Sequence, residues 1–400
     1  MAANLSSSSP LLTFTSLLFL ILSSNSYFLA TTSAITTKTT TELHDHQSSS
    51  NQPFKYIYAF GDSYTDTGNT NSSTGPNAFM SVSRPPYGQT YFHHPTNRYS
   101  DGRLVIDFVA QKLSLPFLPP YLSKTADKSS GVNFAVAGST AIIHSFFAKN
   151  NLTLDITPQS LLTQLAWFNS VLESKGCKDK SATPKECKAV FDDSLIWVGE
   201  IGANDYAYIL GSTVSKATVQ KLAIGSVTRF LEAIMNKGAK YVVVQGLPST
   251  GCLTLAMALA AETDRDSFGC VKTSNDQSYN HNAILQSKLN DFRKRFPGAV
   301  IVYADYWNAY MTVVKNPKKY GITELFKACC GYSSAPYNFD VFNTCGTTMA
   351  TSCKNPSEYV NWDGVHLTEA MYKAVSEEIL DGSFCQPSFE YLLSMKRKSG

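Results

Sequence analysis

From Lys55 onward, short apolar runs rich in β-branched and aromatic residues alternate with longer stretches of helical periodicity. The runs Tyr56–Phe60, Ser194–Val198, Tyr241–Val244 and Val300–Tyr303 predict strands, with a less regular one at Gly131–Val136. Leu104–Lys112, Thr218–Lys237, Ser274–Phe296 and Thr368–Leu380 predict helices. This alternation predicts an α/β fold, a three-layer sandwich with a central, mostly parallel sheet between helices. The connections 69–98 and 329–358, rich in Pro, Gly and Asn, are too long for simple turns and predict binding loops or lids. No internal repeat is evident.

In such sheets ligands gather beyond the carboxyl ends of the strands. Gly61-Asp62-Ser63 stands at the end of the first strand, and Gly202-Ala203-Asn204-Asp205-Tyr206 follows the strand Leu195–Val198. Taken alone, Gly-Asp-Ser is a chain reversal, since all three residues favour turns. Its other meaning is a serine nucleophile on a strand-to-helix turn, which needs a base, a group to orient the base, and donors for an oxyanion. The GxSxG elbow is absent around Ser63. A base stands near the C-terminus in Asn361-Trp362-Asp363-Gly364-Val365-His366-Leu367, where Asp363 can hold one ring nitrogen of His366 and leave the other for Ser63.

Composition narrows the partners. Lys and Arg number 34 against 31 Asp and Glu, and no basic stripe long enough for a row of phosphates is visible, so nucleic acid is not expected as a partner. Leu11–Leu22 is apolar but short for a bilayer, and Thr32-Ser33-Ala34 supplies small residues for cleavage. Residues 1–34 therefore predict a secretory signal peptide, although its first residues lack Lys and Arg, with no stable membrane anchor after cleavage. Residues 35–52 form a Thr/Ser-rich segment outside the fold, 53–388 one domain, and 389–400 a tail. The 9 cysteines suit an oxidising compartment. Cys177 with Cys187 and Cys252 with Cys270 are candidate local pairs, but spacing leaves the connectivity open. Asn71 and Asn151 head glycosylation sequons. His93, His94 and His281 lack partners at metal-ligand spacing; neither a metal nor a cofactor is expected.

The block GDSYTDTGN with Gly131–Gly138 (GVNFAVAG), Gly202-Ala203-Asn204-Asp205 and Asp363-Gly364-Val365-His366 follows the order of the plant GDSL esterase/lipases. The chain resembles that family of SGNH hydrolases from about Tyr56 to Cys385, with support from Pro95–Arg103 and Ala328–Gly331. The resemblance implies a flavodoxin-like SGNH fold and a carboxylic ester hydrolase with an acyl-enzyme intermediate. Ser63 would be the nucleophile, His366 the base, and Asp363 its orienting carboxylate; the amides of Ser63 and Gly138 and the side chain of Asn204 would form the oxyanion hole.

Tyr64 replaces the leucine that names the family and Ala203 a common glycine, which puts substrate fit in question more than activity. Asp62 and Asp205 are expected to hold loops by hydrogen bonds. Tyr64, Phe146, Phe147, Tyr206 and Trp362 are either acyl-pocket or core residues. The substrate is expected to be a small-molecule or polysaccharide ester, met outside the cell or in the vacuole after secretion. An acyltransferase would use the same intermediate with an alcohol or sugar acceptor; a non-catalytic wall protein binding carbohydrate or lipid would keep only the fold.

Overall fold

Five strands, β1 (Tyr56–Phe60), β2 (Gly131–Asn133), β3 (Ser194–Val198), β4 (Tyr241–Gln245) and β5 (Val300–Ala304), form a parallel sheet in the order 2-1-3-4-5. The two-residue strand Cys385–Gln386 joins β5 antiparallel and closes that edge. This computed structural model describes residues 52–70, 81–152, 157–177 and 184–399. The predicted signal segment, all but the last residue of the Thr/Ser-rich stretch, and Asn71 lie outside them. Among the described residues no helix is long and apolar enough to cross a membrane.

The helices are α1 (Val105–Lys112), α2 (His144–Lys149), α3 (Leu161–Ser174), α4 (Pro184–Asp192), α5 (Ala203–Ala207), α6 (Lys216–Asn236), α7 (Thr254–Leu259), α8 (Lys272–Arg295), α9 (Tyr306–Lys315), α10 (Glu369–Leu380) and α11 (Phe389–Ser399). Successive strand residues point to opposite faces, so one run of sequence serves two cores. Ile57, Ala59, Leu195, Trp197, Val243 and Val302 pack with α1, α9, α10 and α11. Tyr58, Phe60, Ile196, Val198, Val244 and Ile301 pack with α3, α6 and α8. Burial on both sides explains why the strands read as continuous apolar runs.

Most expected elements appear within a residue or two of their expected ends. The strand expected over 131–136 stops at Asn133, whose side-chain oxygen accepts the Ala135 amide at 2.9 Å and turns the chain off the sheet. Residues 389–400, set aside as a tail, contain α11, which buries Phe389, Leu392 and Leu393 on the domain core. Four disulfides join Cys177 to Cys187, Cys252 to Cys270, Cys329 to Cys353 and Cys330 to Cys345; Cys385 is free and buried.

The strand order fixes where a site can lie. The order in which strands are added reverses at the parallel neighbours β1 and β3, with β2 on one side and β4 and β5 on the other, so the loops leaving their carboxyl ends diverge and open a crevice. Gly61–Ser63 leaves β1 and Gly199–Asn204 leaves β3 at that crevice, with the loop after β2 on its flank.

Candidate active site

Each loop at the crevice is tied to its neighbours by buried side chains. Gln164 of α3 clamps Gly61, accepting its amide at 3.0 Å and donating to its carbonyl at 2.7 Å. Asp66 accepts the amides of Gly68, Asn69, Thr70 and Ala137, and Asn69 donates to the carbonyls of Asn133 and Ala135. The TDTGN stretch thus fastens the Ser63 loop to the loop carrying Gly138. Gly138 has φ +77°, a conformation open to glycine at little cost, and its carbonyl accepts the Tyr208 hydroxyl at 2.7 Å. Among the described residues the amides of Ser63 and Gly138 are donated to no protein acceptor.

As expected, Asp62 and Asp205 hold loops. Asp205 accepts the amides of Ala141 and Ile142, both at 2.8 Å. Burial nevertheless pushes its carboxyl up to about 7, against those two bonds. Asp62 accepts the Tyr64 amide at 3.0 Å and the Asn204 side-chain amide at 2.8 Å. The second hydrogen of that amide goes to the Ser139 carbonyl at 3.0 Å.

Asp363 and His366 follow the short strand Tyr359–Asn361. Nδ1 of His366 lies 2.7 Å from Oδ2 and 2.9 Å from Oδ1 of Asp363, which also accepts the His366 and Val365 amides at 2.8 and 3.0 Å. Tyr87, from the long loop after β1, donates its hydroxyl to Asp363 Oδ2 at 2.7 Å. Burial alone would raise the Asp363 carboxyl; the His366 imidazole beside it, the His366 bonds and Tyr87 outweigh this and hold it down to about 2. Such a carboxylate fixes the imidazole with Nδ1 as donor and leaves Nε2 as the basic nitrogen. Nε2 is buried and makes no hydrogen bond among the described residues. The Tyr99 ring covers the imidazole at 4.4 Å between centroids.

Ser63 lies between two residues that reach the His366 segment. Tyr64 donates its hydroxyl to the Val365 carbonyl at 2.7 Å and lies 5.7 Å from the His366 ring, centroid to centroid. Asp62 is near enough for the imidazole to act on its charge. The Ser63 hydroxyl is nearly buried and is not hydrogen bonded to Nε2. Ser63, the half-buried Asn204, Asp363 and His366 therefore share one neighbourhood, with no hydrogen bond between Ser63 and His366.

The tyrosine that departs from the family leucine is a buried strut, packed edge-on to Tyr306 and Tyr372. Phe147 and Trp362 are fully buried, and Phe146 and Tyr206 pack half-buried against the core. His281 is buried against Gly202, with Nδ1 2.9 Å from the Tyr206 hydroxyl; burial lowers its pKa to about 4, so it is neutral. His93 and His94 are exposed. Among the described residues no group of His, Cys, Asp or Glu is arranged to hold a metal ion.

Taken together, a flavodoxin-like sheet, a buried His–Asp pair and a serine at the switch point define a hydrolase of the serine type. A model of the GDSL-like lipase/acylhydrolase family matches residues 57–379, and the chain belongs to that family as an ester hydrolase. A GDSL esterase/lipase of Arabidopsis thaliana is 61% identical over 352 residues, covering 86% of this chain and 90% of the relative. An acetylajmalan esterase of Rauvolfia serpentina is 38% identical over 338 residues, covering 82% of this chain and 90% of its own. Among solved structures, an acetylxylan esterase of Geobacillus stearothermophilus aligns over 82% of this chain and 93% of its own, with 10% identity and a TM-score of 0.37.

Proposed function

We propose that the protein is a secreted carboxylic ester hydrolase that works through an acyl-enzyme on Ser63. The observation that carries this is the Asp363–His366 pair, held at 2.7 Å with a buried Nε2 that no group among the described residues claims. On substrate binding, His366 takes the Ser63 proton as the hydroxyl attacks the ester carbonyl, and returns a proton to the leaving alcohol. Water then attacks the acyl-enzyme with the same imidazole as base. Catalytic hydrogen bonds are often long without substrate and tighten with it, so an open Ser63–His366 bond suits this scheme.

The free amides of Ser63 and Gly138 serve as oxyanion donors, joined by Asn204. Of the two Asn204 bonds, the one to the Asp62 carboxylate is charge-assisted and the stronger. The bond to the neutral Ser139 carbonyl is the one exchanged for the developing oxyanion. Export and glycosylation belong to the same proposal. Asn151 is exposed on a turn, and four disulfides suit an oxidising destination.

Ser63→Ala and His366→Ala are each expected to lower kcat on a short-chain aryl ester by about 10⁴ or more, with the double variant little worse, because the residues act as one unit. Turnover near wild type in a folded Ser63→Ala protein would overturn the mechanism. Acylglycerols, acetylated polysaccharides and phenolic esters, each with and without an acceptor alcohol, then sort substrate class and separate hydrolysis from acyl transfer.

A further inference from the structure

Glu200, four residues before Asn204, is fully buried beneath the crevice, and the serine mechanism above gives it no task. Its carboxyl faces that of Asp62, itself almost fully buried, and among the described residues both Glu200 oxygens are buried without a hydrogen-bond donor. Among the described residues no Lys or Arg forms an ion pair with either one. Two carboxylates in contact in a low-dielectric interior cannot both be ionised, so the pair holds one proton.

Which oxygen carries it follows from the donors around each. Asp62 accepts two N–H bonds of good length, from Tyr64 and Asn204, and these favour its anion. Among the described residues neither Glu200 oxygen accepts a bond of normal geometry, and the nearby Ala203 amide only partly offsets the burial of its charge. The other ionisable groups facing the pair are Asp66 after β1, Asp205 on α5, Tyr306 on α9, Tyr372 on α10, and Tyr64 and His366. The only one of these that gains positive charge is His366, and it acts on Asp62. Burial first, and the Asp62 charge second, push the Glu200 carboxyl well above the usual range.

We propose that Glu200 is a positioning residue that stays protonated and donates its hydrogen bond to Asp62, keeping Asp62 an ionised acceptor that aims the Asn204 amide at the oxyanion. This rests on the Ser63 mechanism and deepens it. Asn204 sits on a five-residue helix, and among the described residues its side chain is anchored only by Asp62 and the Ser139 carbonyl. If Asp62 took the proton itself, its hold on Asn204 would weaken to a neutral hydrogen bond, roughly half as strong.

The test compares Glu200→Leu, which fills the space without a donor, with Glu200→Gln, whose amide can still donate to Asp62. Glu200→Leu is expected to lose about 10²-fold in kcat with KM little changed, the signature of a weakened transition-state contact. Glu200→Gln is expected to recover to within about tenfold of wild type. Infrared difference spectra of wild type against Glu200→Gln at neutral pH should show a protonated-carboxyl carbonyl band that the substitution removes. That readout stands even if Glu200→Leu fails to fold. Unchanged kcat in Glu200→Leu, equal losses in both variants, or no band lost in Glu200→Gln would each overturn the proposal. Ser63→Ala in parallel separates the two levels: with its turnover lost and a flat Glu200 series, only this inference falls, whereas surviving Ser63→Ala turnover overturns both.

Discussion

Tyr87 is the residue whose importance is least expected from its position. It stands 276 residues before Asp363 yet supplies the carboxylate with a hydroxyl hydrogen bond. Tyr87→Phe keeps the ring against Tyr99 and Trp362 and removes only that bond. A hydrogen bond to a charged group contributes about 1.5 to 3 kcal/mol, so a loss of that order in unfolding free energy is expected at neutral pH. The sign of its pH dependence follows from Asp363, held down to about 2 in the folded chain. A depressed carboxyl stabilises the fold above its unfolded pKa of about 3.9, and that contribution disappears as pH falls toward 2. Losing Tyr87 raises the folded pKa, so the deficit of Tyr87→Phe should be full at neutral pH and shrink below about pH 4. Urea unfolding at several pH values checks this; a deficit that does not change with pH would assign Tyr87 to packing alone.

Ser63, Asp363 and His366 could be singled out from the sequence because each lies in a short local block. Gln164, Tyr87 and Glu200 could not. Gln164 meets Gly61 across 103 residues, and in sequence it is one polar position in an amphipathic helix. Glu200 reads as an ordinary acidic residue after a strand until its complete burial is known. Their signal lies in three-dimensional partnership, which no spacing records.

At the scale of elements, β1, β3, β4 and β5 were legible because strands buried on both faces leave unbroken apolar runs. α9 was not: Tyr306–Lys315 is dense in aromatic and β-branched residues that suit a strand equally well, and Asp305 tips it into a helix by capping the Asn308 amide at 3.1 Å. The segment bearing His366 depends on the cysteine-rich loop beside it. The amides of Cys329 and Cys330 donate to the carbonyls of Asn361 and Trp362 at 2.9 and 2.7 Å. Phe339 occupies the place where a side chain on Gly364 would project, 2.1 Å from an added Cβ, and Gly364 itself has φ +97°. The Cys330–Cys345 bridge closes a loop of 15 residues around Phe339. Removing it as a paired Cys330→Ala/Cys345→Ala change should destabilise by roughly 3 kcal/mol. The same change should lower kcat as the support of His366 loosens. A thermal melt and kinetics on one preparation decide it: a lower Tm with unchanged kcat would detach the loop from the site.

For the molecule as a whole, buried carboxyls set how stability responds to pH. Asp205, raised to about 7 by burial, and Glu200, also raised by burial, both hold protons when folded that they release when unfolded. Between about pH 4 and 7 the folded state binds the extra proton on Asp205, so this group makes stability fall with rising pH, by at most about 1.4 kcal/mol per unit. In Asp205→Asn that slope is absent. The stability of the variant relative to wild type should therefore improve steadily from pH 4 to 7 and level off above, whatever its offset from losing an amide bond. Parallel curves for the two proteins would show Asp205 ionised throughout, held so by the Ala141 and Ile142 amides.

The adjacent pair Cys329 and Cys330 gives the chain a sense of place. Both are bridged into the loop that props the histidine segment, and both donate their amides to it. In a reducing compartment those two ties would stand open and the imidazole would lack that support. On the proposed secretory route they would close only once the chain meets an oxidising compartment. The proposed activity would then arrive late in the life of the molecule, sparing esters met before that point.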